Sequence, residues 1–338
     1  MSVLNFLICS ERSGSNFLTS LLNGHPQISA PPPSHLFRLF ALNDRNYQPL
    51  TSQLNWNAFQ NDVREAHAAM PGKWTTGFPE TALKLSPESR TIGEVLSRIY
   101  ECERRADGAK ITFVKENQTY KFASQLLQNW PDCKFIFQVR DPRDVALSLH
   151  KTANMRGGII TATDTWIRDQ AGTLKALESL EGHSVLQVRY EDILEDTVTL
   201  SRAMCEHLGV DFDQVMLTFH TSTRTQENAK LSPAWENLDK GVLKDNKRKF
   251  VSQLSDHEIE YIELRCYDYM EHFGYDCLSQ VGELSPPERA AKATTLANDV
   301  RQPEPVLFES EADREMRSTR LALIERVKSR GGVRDVSC

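Results

Sequence analysis

Two segments of the chain carry residue types and spacings suited to holding an anion. The first is Ser10-Glu11-Arg12-Ser13-Gly14-Ser15-Asn16, which turns the apolar run at 3–9 into a helical pattern at 14–23. The opening N–H groups of a helix have no intrahelical acceptor, and the helix dipole adds partial positive charge there, so such a turn cradles anions. Arg12 adds a cation, Ser13 and Ser15 add hydroxyls, and Gly14 lets the backbone approach a ligand closely. The spacing is not the G-x-x-x-x-G-K-[ST] of nucleotide phosphatases and kinases. On this segment alone, a phosphate site and a capped helix without a ligand are equally good readings.

The second segment begins with the apolar strand Lys134 to Val139 and continues Arg140-Asp141-Pro142-Arg143-Asp144-Val145-Ala146-Leu147-Ser148. Pro142 suits the first turn of a helix and Asp141 its N-cap. Arg140 then sits at the C-terminal end of a strand, where open α/β sheets bind ligands. Ser148 lies about two turns along the helix, so a ligand touching both must lie across the helix start. The alternative is a surface Arg140 paired with Asp141 or Asp144.

Together the two segments are more specific than either alone. The chain resembles the sulfotransferases that use 3′-phosphoadenosine-5′-phosphosulfate (PAPS) and release 3′-phosphoadenosine-5′-phosphate (PAP). Ser10 to Asn16 looks like the loop that binds the 5′-phosphosulfate, and Arg140 with Ser148 looks like the 3′-phosphate motif. Phe113-Val114-Lys115 resembles the strand that ends in a Lys near the reacting group. Val188-Arg189-Tyr190-Glu191-Asp192 resembles the family's R-Y-E-D strand end. Trp235 to Phe250, with Lys244, Asn246, Lys247 and Arg248, resembles the basic loop that closes over the nucleotide. The resemblance spans residues 3 to about 275. It implies an α/β fold of the P-loop type, with a mostly parallel sheet flanked by helices and a helical C-terminal tail. Arg12, Ser13, Gly14, Ser15, Asn16, Arg140, Ser148, Tyr190, Lys244, Asn246, Lys247 and Arg248 are the nucleotide-binding positions it implies.

Sulfuryl transfer builds charge on the oxygen that bridges sulfur and phosphorus. By analogy with phosphoryl transfer, the protein positions the reactants and neutralises that charge. Arg12 is the first candidate for this role and Lys115 the second, unless Lys115 is a solvated strand end. The acceptor, a hydroxyl or amine of a small molecule, needs a base unless it is already nucleophilic. Bacterial relatives carry a Pro-Pro-Glu-Leu-His stretch after the first helix; here Ala30-Pro31-Pro32-Pro33-Ser34-His35-Leu36 puts Pro33 where the Glu would be. His35 is therefore the candidate base, since an imidazole titrates near neutrality. Tyr190 packs near the adenosine or is structural, and Glu191 and Asp192 read as caps of the next segment. Trp166 and Arg168 reach the site only if their helix faces it. No metal is required, and no metal-ligand spacing such as H-E-x-x-H occurs.

Several elements must position these residues. Strands are expected at 3–9, 111–115, 134–139 and 184–189. Helices are expected at 14–23, 119–130, 142–153, 162–180, 197–208 and 256–272, the last opened by the capping box Ser255-x-x-Glu258 and the 197–208 helix capped by Asp196. Short apolar strands alternating with helices imply a parallel sheet covered on both faces. Residues 31–108 read as a less regular insertion on the acceptor side of a 1–278 domain. From 279 to 338 charge rises and aromatics nearly vanish. There Ser285-Pro286-Pro287-Glu288 starts a helix, and Met316, Arg320, Leu323, Ile324 and Val327 form a stripe. That tail docks on the body, pairs two subunits as a homodimer, or is partly ordered.

Composition fits a globular enzyme: 338 residues, 40% apolar and 25% charged. A net charge of −6 argues against broad binding to nucleic acid or acidic membrane. No run approaches 18 apolar residues, and no basic region precedes the first apolar stretch, so neither a membrane span nor a signal peptide is expected. Seven cysteines without a C-x-x-C favour a reducing compartment. With no anchor of the kind Golgi-type relatives carry, a cytoplasmic protein is expected. Two competitors remain: a P-loop phosphotransferase, which lacks its Walker Lys and Mg²⁺ ligand here, and a non-catalytic nucleotide-binding protein using the tail for interaction.

Overall fold

In the computed structural model, residues 4–152, 157–180, 182–232, 235–304 and 311–330 are described, with backbone only for 311–313 and 316. Five parallel strands form one sheet in the order β2-β3-β1-β4-β5: β1 Leu4–Cys9, β2 Ile28–Ser29, β3 Ile111–Lys115, β4 Phe135–Val139 and β5 Val185–Arg189. The apolar runs of β1 and β4 are buried along their whole length. Their side chains alternate between two cores, as the two-residue period of a strand requires. Leu4, Phe6, Ile8, Phe135 and Phe137 enter one core, and Leu7, Cys9 and Ile136 the other. Asn5, buried within β1, is satisfied by the Thr112 carbonyl and the Lys134 N–H.

The helices are α1 Ser15–Asn23, α2 Leu36–Ala41, α3 Gln53–Ala68, α4 Ile92–Ala106, α5 Ala123–Asn129, α6 Pro142–Lys151 and α7 Gly158–Ser179. They continue with α8 Tyr190–Glu195, α9 Thr197–Leu208, α10 Thr223–Ala229, α11 Phe250–Gln253, α12 Asp256–Phe273, α13 Pro286–Leu296 and α14 Glu311–Ser329. Asp141 caps α6, Asp196 caps α9, and Ser255 with Glu258 closes a capping box on α12. Each such cap is worth about 1 kcal/mol. The outer ends of two expected elements, Val3 and Ala153, lie outside the described residues.

Three expectations need correction. The segment 119–130 is not one helix: Phe122 takes φ −134° with its ring buried, splitting a 3₁₀ turn at Thr119–Lys121 from α5. Residues 31–108 are largely regular, holding α2, α3 and α4. Trp56, Phe59 and Val63 of α3 and Val95, Leu96 and Ile99 of α4 recur at helical spacing and are buried in one core. Glu191 does more than serve its own segment: it accepts the Asp141 N–H and the Tyr275 hydroxyl, joining the end of β4 to the C-terminal end of α12.

Helix α14 lies on α3 and on the 3₁₀ turn Asp44–Tyr47. Leu323 and Val327 are buried there. Asp62 of α3, itself buried, accepts hydrogen bonds from Tyr47, Arg326 and Arg330, and Asn46 donates to the Val327 and Lys328 carbonyls. Of the expected stripe, Leu323 and Val327 are thus covered by the chain itself, while the side chain of Met316 lies outside the described residues. Among the described residues no helix is long and apolar enough to cross a membrane.

Candidate active site

The C-terminal ends of β1, β3, β4 and β5 bring together Ser10–Asn16, Lys115, Arg140 and Tyr190, with β3 and β4 on opposite sides of β1. This is the edge at which open parallel sheets bind ligands. The first loop is shaped by two left-handed residues, Arg12 at φ 64° and Gly14 at φ 85°. Only glycine fits at 14: a Cβ there would lie 2.3 Å from Cδ2 of the Tyr190 ring. Ser13 donates to the Ser10 carbonyl at 2.8 Å, and Gln170 of α7 donates to Ser10 Oγ at 2.8 Å. Among the described residues, the N–H groups of Arg12 to Asn16 donate to no backbone carbonyl outside α1. They form a concave set of free donors.

Arg140 lies beside this loop. Its Nη1 donates to the Arg12 carbonyl at 3.2 Å, its Nη2 donates to the Asn246 carbonyl at 3.3 Å, and its guanidinium stacks 4.4 Å from the Tyr190 ring centre. Asp144 is 3.8 Å away and mainly does something else, accepting the N–H groups of Arg248 and Phe250. The pair of Arg140 with Asp144 thus exists, but it is loose and buried rather than on the surface. Arg140 Nε is buried without a partner. Arg12 Nε donates to Ser148 Oγ at 3.0 Å, so residues 136 positions apart meet. Burial first, and then the charge of Arg140, disfavours the Arg12 cation. A guanidinium does not lose its proton in a protein, so both cations persist and an anion between them would offset their repulsion.

The late loop folds over this pair. Asn246 Nδ2 donates to the Tyr190 hydroxyl at 2.7 Å, and Lys247 pairs with Glu195. Lys244 and Arg248 are exposed on the same loop. Two aromatic contacts had no signal in the sequence beyond their position after the loop: Phe17 of α1 stands edge-on to Tyr190 and to Phe219. Trp166 Nε1 donates to the Arg140 carbonyl at 3.1 Å from the core side, whereas Arg168 pairs with Asp169 near the surface.

On the other side of the loop, Lys115 is buried rather than solvated, and burial lowers its pKa from the ordinary lysine value. The next residue, Glu116, went unnoticed in the sequence, although a second charge at a strand's C-terminal end was a signal. Its carboxylate is fully buried and accepts from Ser34 Oγ at 3.0 Å; Ser34 in turn lies 2.9 Å from the Tyr100 hydroxyl. His35, held at φ 62° at the head of α2, places Nδ1 3.5 Å from Glu116 Oε2. Both atoms are buried with no other hydrogen-bond partner. Of the His35 side chain 17% stays exposed. Burial lowers the His35 pKa, which Glu116 opposes and Arg320 and Lys115 reinforce. Glu116, directly after β3, thus faces the imidazole of His35. Among the described residues no group of three or more His, Cys, Asp or Glu converges on a possible metal position.

Comparison with known proteins agrees with this geometry. The model of the Sulfotransferase family matches residues 6–214, well over half of the chain. The sulfotransferase domain of the Synechococcus PCC 7002 olefin synthase superposes with a TM-score of 0.57 at 21% identity, covering 81% of this chain and 94% of that one. The sulfotransferase domain of the curacin biosynthetic pathway gives 0.59 at 20% identity, covering 82% and 99%. At such identities the likeness is one of fold. No curated protein matches the chain significantly. The family match over residues 6–214, which carry the loop after β1 and both Arg140 and Ser148, places this chain in the sulfotransferase family.

Proposed function

We propose that the chain transfers the sulfuryl group of PAPS to a hydroxyl or amine of a small-molecule acceptor. The observation that carries this reading is the orphaned Arg140 Nε beside Arg12 and Ser148, in one cleft lined by free N–H groups. A ligand with anions at both ends satisfies all of them. In the reaction the S–O bond to the 5′-phosphate breaks, an S–O bond to a hydroxyl acceptor or an S–N bond to an amine forms, PAP leaves with the electron pair, and the acceptor's proton goes to the base.

This chain's residues divide the work. Ser13, Gly14, Ser15 and Asn16 supply N–H groups to the 5′ end, while Arg140 and Ser148 hold the 3′-phosphate. Tyr190 and Phe17 flank the adenosine, with Asn246 and Lys247 on the closing loop. Arg12 and Lys115 neutralise the charge that grows on the bridging oxygen. His35 takes the acceptor's proton, and Glu116 orients the imidazole and favours its protonated form once the proton arrives. A small natural-product acceptor is supported by the two solved domains, which come from an olefin synthase and the curacin pathway. A cytoplasmic location rests on the free cysteines Cys9, Cys102, Cys133, Cys205, Cys266 and Cys277.

The test is thermal unfolding in EDTA with PAP and with AMP. Ligand that binds only the folded state raises its stability. PAP is expected to stabilise more than AMP, which lacks the 3′-phosphate. Equal shifts would remove the 3′-phosphate assignment. Turnover of labelled PAPS separates an enzyme from a non-catalytic binder, and ATP turnover in Mg²⁺ would favour a phosphotransferase.

A further inference from the structure

Next to His35 lies a row of buried polar groups that the chemistry above leaves unused. Tyr100 of α4, Ser34 and Glu116 are all buried. The Tyr100 hydroxyl lies 2.9 Å from Ser34 Oγ, and Ser34 Oγ lies 3.0 Å from Glu116 Oε1. Ser34 Oγ also accepts the Leu36 N–H at 3.0 Å. This one oxygen therefore ties α4, the end of β3 and the head of α2 together. Between Ser34 and Leu36, His35 is held in the left-handed region at φ 62°. A residue other than glycine keeps that conformation only where its surroundings fix it.

The hydrogen-bonding capacity of each group gives the row one direction. A carboxylate only accepts, whereas a hydroxyl has one proton to give and two lone pairs to fill. Ser34 spends its proton on Glu116, and its lone pairs take the Leu36 N–H and the Tyr100 hydroxyl. Tyr100 must then be the donor. Burial first, and then the Glu116 charge, push its pKa well up, so the phenol keeps its proton. Its ring is fixed by packing, with the Trp74 ring centre at 4.8 Å and the Phe37 ring centre at 5.4 Å. Glu116 Oε1 is thus satisfied from the α4 side. Oε2 is left facing His35 Nδ1 at 3.5 Å, and neither of those atoms has another hydrogen-bond partner.

We propose that Tyr100 and Ser34 are positioning residues that aim the Glu116 carboxylate at His35, so that Nδ1 carries the proton of the neutral imidazole and Nε2 takes the acceptor's. This rests on His35 being the base, as proposed above. The acceptor's O–H or N–H bond breaks, the Nε2–H bond forms, and no further proton moves along the row. Two other charges bear on the imidazole: Arg320 of α14 and Lys115 of β3 both oppose its protonation. Glu103 of α4 adds to the field that keeps Tyr100 protonated.

The experiment follows the His35 ring by NMR in the full chain with isotope-labelled histidine, its signal assigned by its loss in His35→Gln. It needs neither PAPS nor an acceptor. Above the pH at which the ring titrates, the nitrogen shifts are expected to show Nδ1 protonated and Nε2 bare. A carboxylate that loses a hydrogen-bond donor holds a proton more tightly. Ser34→Ala is therefore expected to raise the proton affinity of the His35–Glu116 pair about tenfold, the weight of one hydrogen bond to a charged group. The ring then titrates at higher pH. Tyr100→Phe removes one oxygen and keeps the ring, and is expected to move the titration the same way by less. Glu116→Gln is expected to move it toward acid. A merely structural role for Ser34 and Tyr100 would lower Tm and leave the titration where it is. Tyr100→Phe gives the reading by itself if Ser34→Ala does not fold. An unchanged titration in the folded variants, a shift toward acid in either, or a proton on Nε2 in the wild type overturns the proposal. If the titrations shift as expected while His35→Gln keeps near-normal turnover of PAPS, the base role of His35 falls and the alignment stands.

Discussion

Arg12 and Ser148 share a hydrogen bond of 3.0 Å across 136 residues of sequence. One belongs to the loop after β1 and the other to the second turn of α6. Each is the candidate ligand of a different end of the nucleotide. The bond pre-forms the distance between the two ends, so little ordering of these side chains is left for binding. It also gives the unliganded protein a partner for a hydroxyl and a guanidinium that would otherwise point at nothing.

Arg140→Ala is expected to raise KM for PAPS with a modest change in kcat. The 3′-phosphate does not change during transfer, so its contacts contribute equally to ground and transition states. A charge-assisted contact of about 1.5–3 kcal/mol corresponds to roughly 10- to 150-fold in affinity. Arg12→Ala, facing the charge that grows, is expected to lower kcat as well. Steady-state kinetics at saturating acceptor checks both; a collapse of kcat at constant KM in Arg140→Ala would reverse the roles.

Gly14→Ala is expected to abolish PAP binding. The new Cβ meets the Tyr190 ring at 2.3 Å, and φ 85° is strained for alanine. The conformational part alone costs about 1–2 kcal/mol. Either the loop or Tyr190 must move, and Tyr190 carries both the Arg140 stacking and the Asn246 hydrogen bond. Calorimetric titration with PAP is the measurement. Binding within twofold of wild type would show that the loop is not the phosphate cradle.

The parts legible in the sequence were those with a local cause. The runs at β1 and β4 announced buried strands, and Asp141-Pro142 and Ser255-x-x-Glu258 marked helix starts, because caps act within one turn. Glu116 was hidden because its role depends on β3 lying beside β1, which brings it behind His35. Phe17 looked like an ordinary helix residue until Tyr190 came in from β5. The helices of residues 31–108 were masked by Asn, Gln and Trp, whose weak propensities are overridden by packing. Asp144 pins the backbone of the late loop at Arg248 and Phe250, a long-range contact that no charge count reveals.

Asp62→Ala is expected to loosen α14. Three donors, from Tyr47, Arg326 and Arg330, lose a buried acceptor. Breaking a fully buried ion pair costs about 3–5 kcal/mol. Here both arginines are partly exposed and can turn to solvent, so about 1–3 kcal/mol is expected. Trypsin should then cut within α14 while the body stays intact, with a lower Tm. A cleavage pattern identical to wild type would show that Leu323 and Val327 alone hold the helix.

The pH dependence tests the base. Burial lowers the His35 pKa, so the folded protein keeps this imidazole neutral to lower pH than the unfolded chain, whose histidines titrate near 6.5. Two consequences share that sign. The acidic limb of kcat is expected below about 6.5, because the base stays unprotonated there. The stability this group contributes is fully present above the unfolded value and is lost as pH falls from there through the lower folded value, because the unfolded state takes up the proton first. Glu116→Gln removes the charge that favours imidazolium, so the limb should move further toward acid while kcat falls through loss of ring orientation. His35→Ala should lower kcat by about 10²–10⁴ with PAP affinity nearly unchanged, since His35 touches none of the nucleotide-binding groups. A His35→Ala enzyme with near-normal kcat would place the base elsewhere or make the acceptor a sufficient nucleophile. A limb that ignores Glu116→Gln would separate the carboxylate from the imidazole it faces.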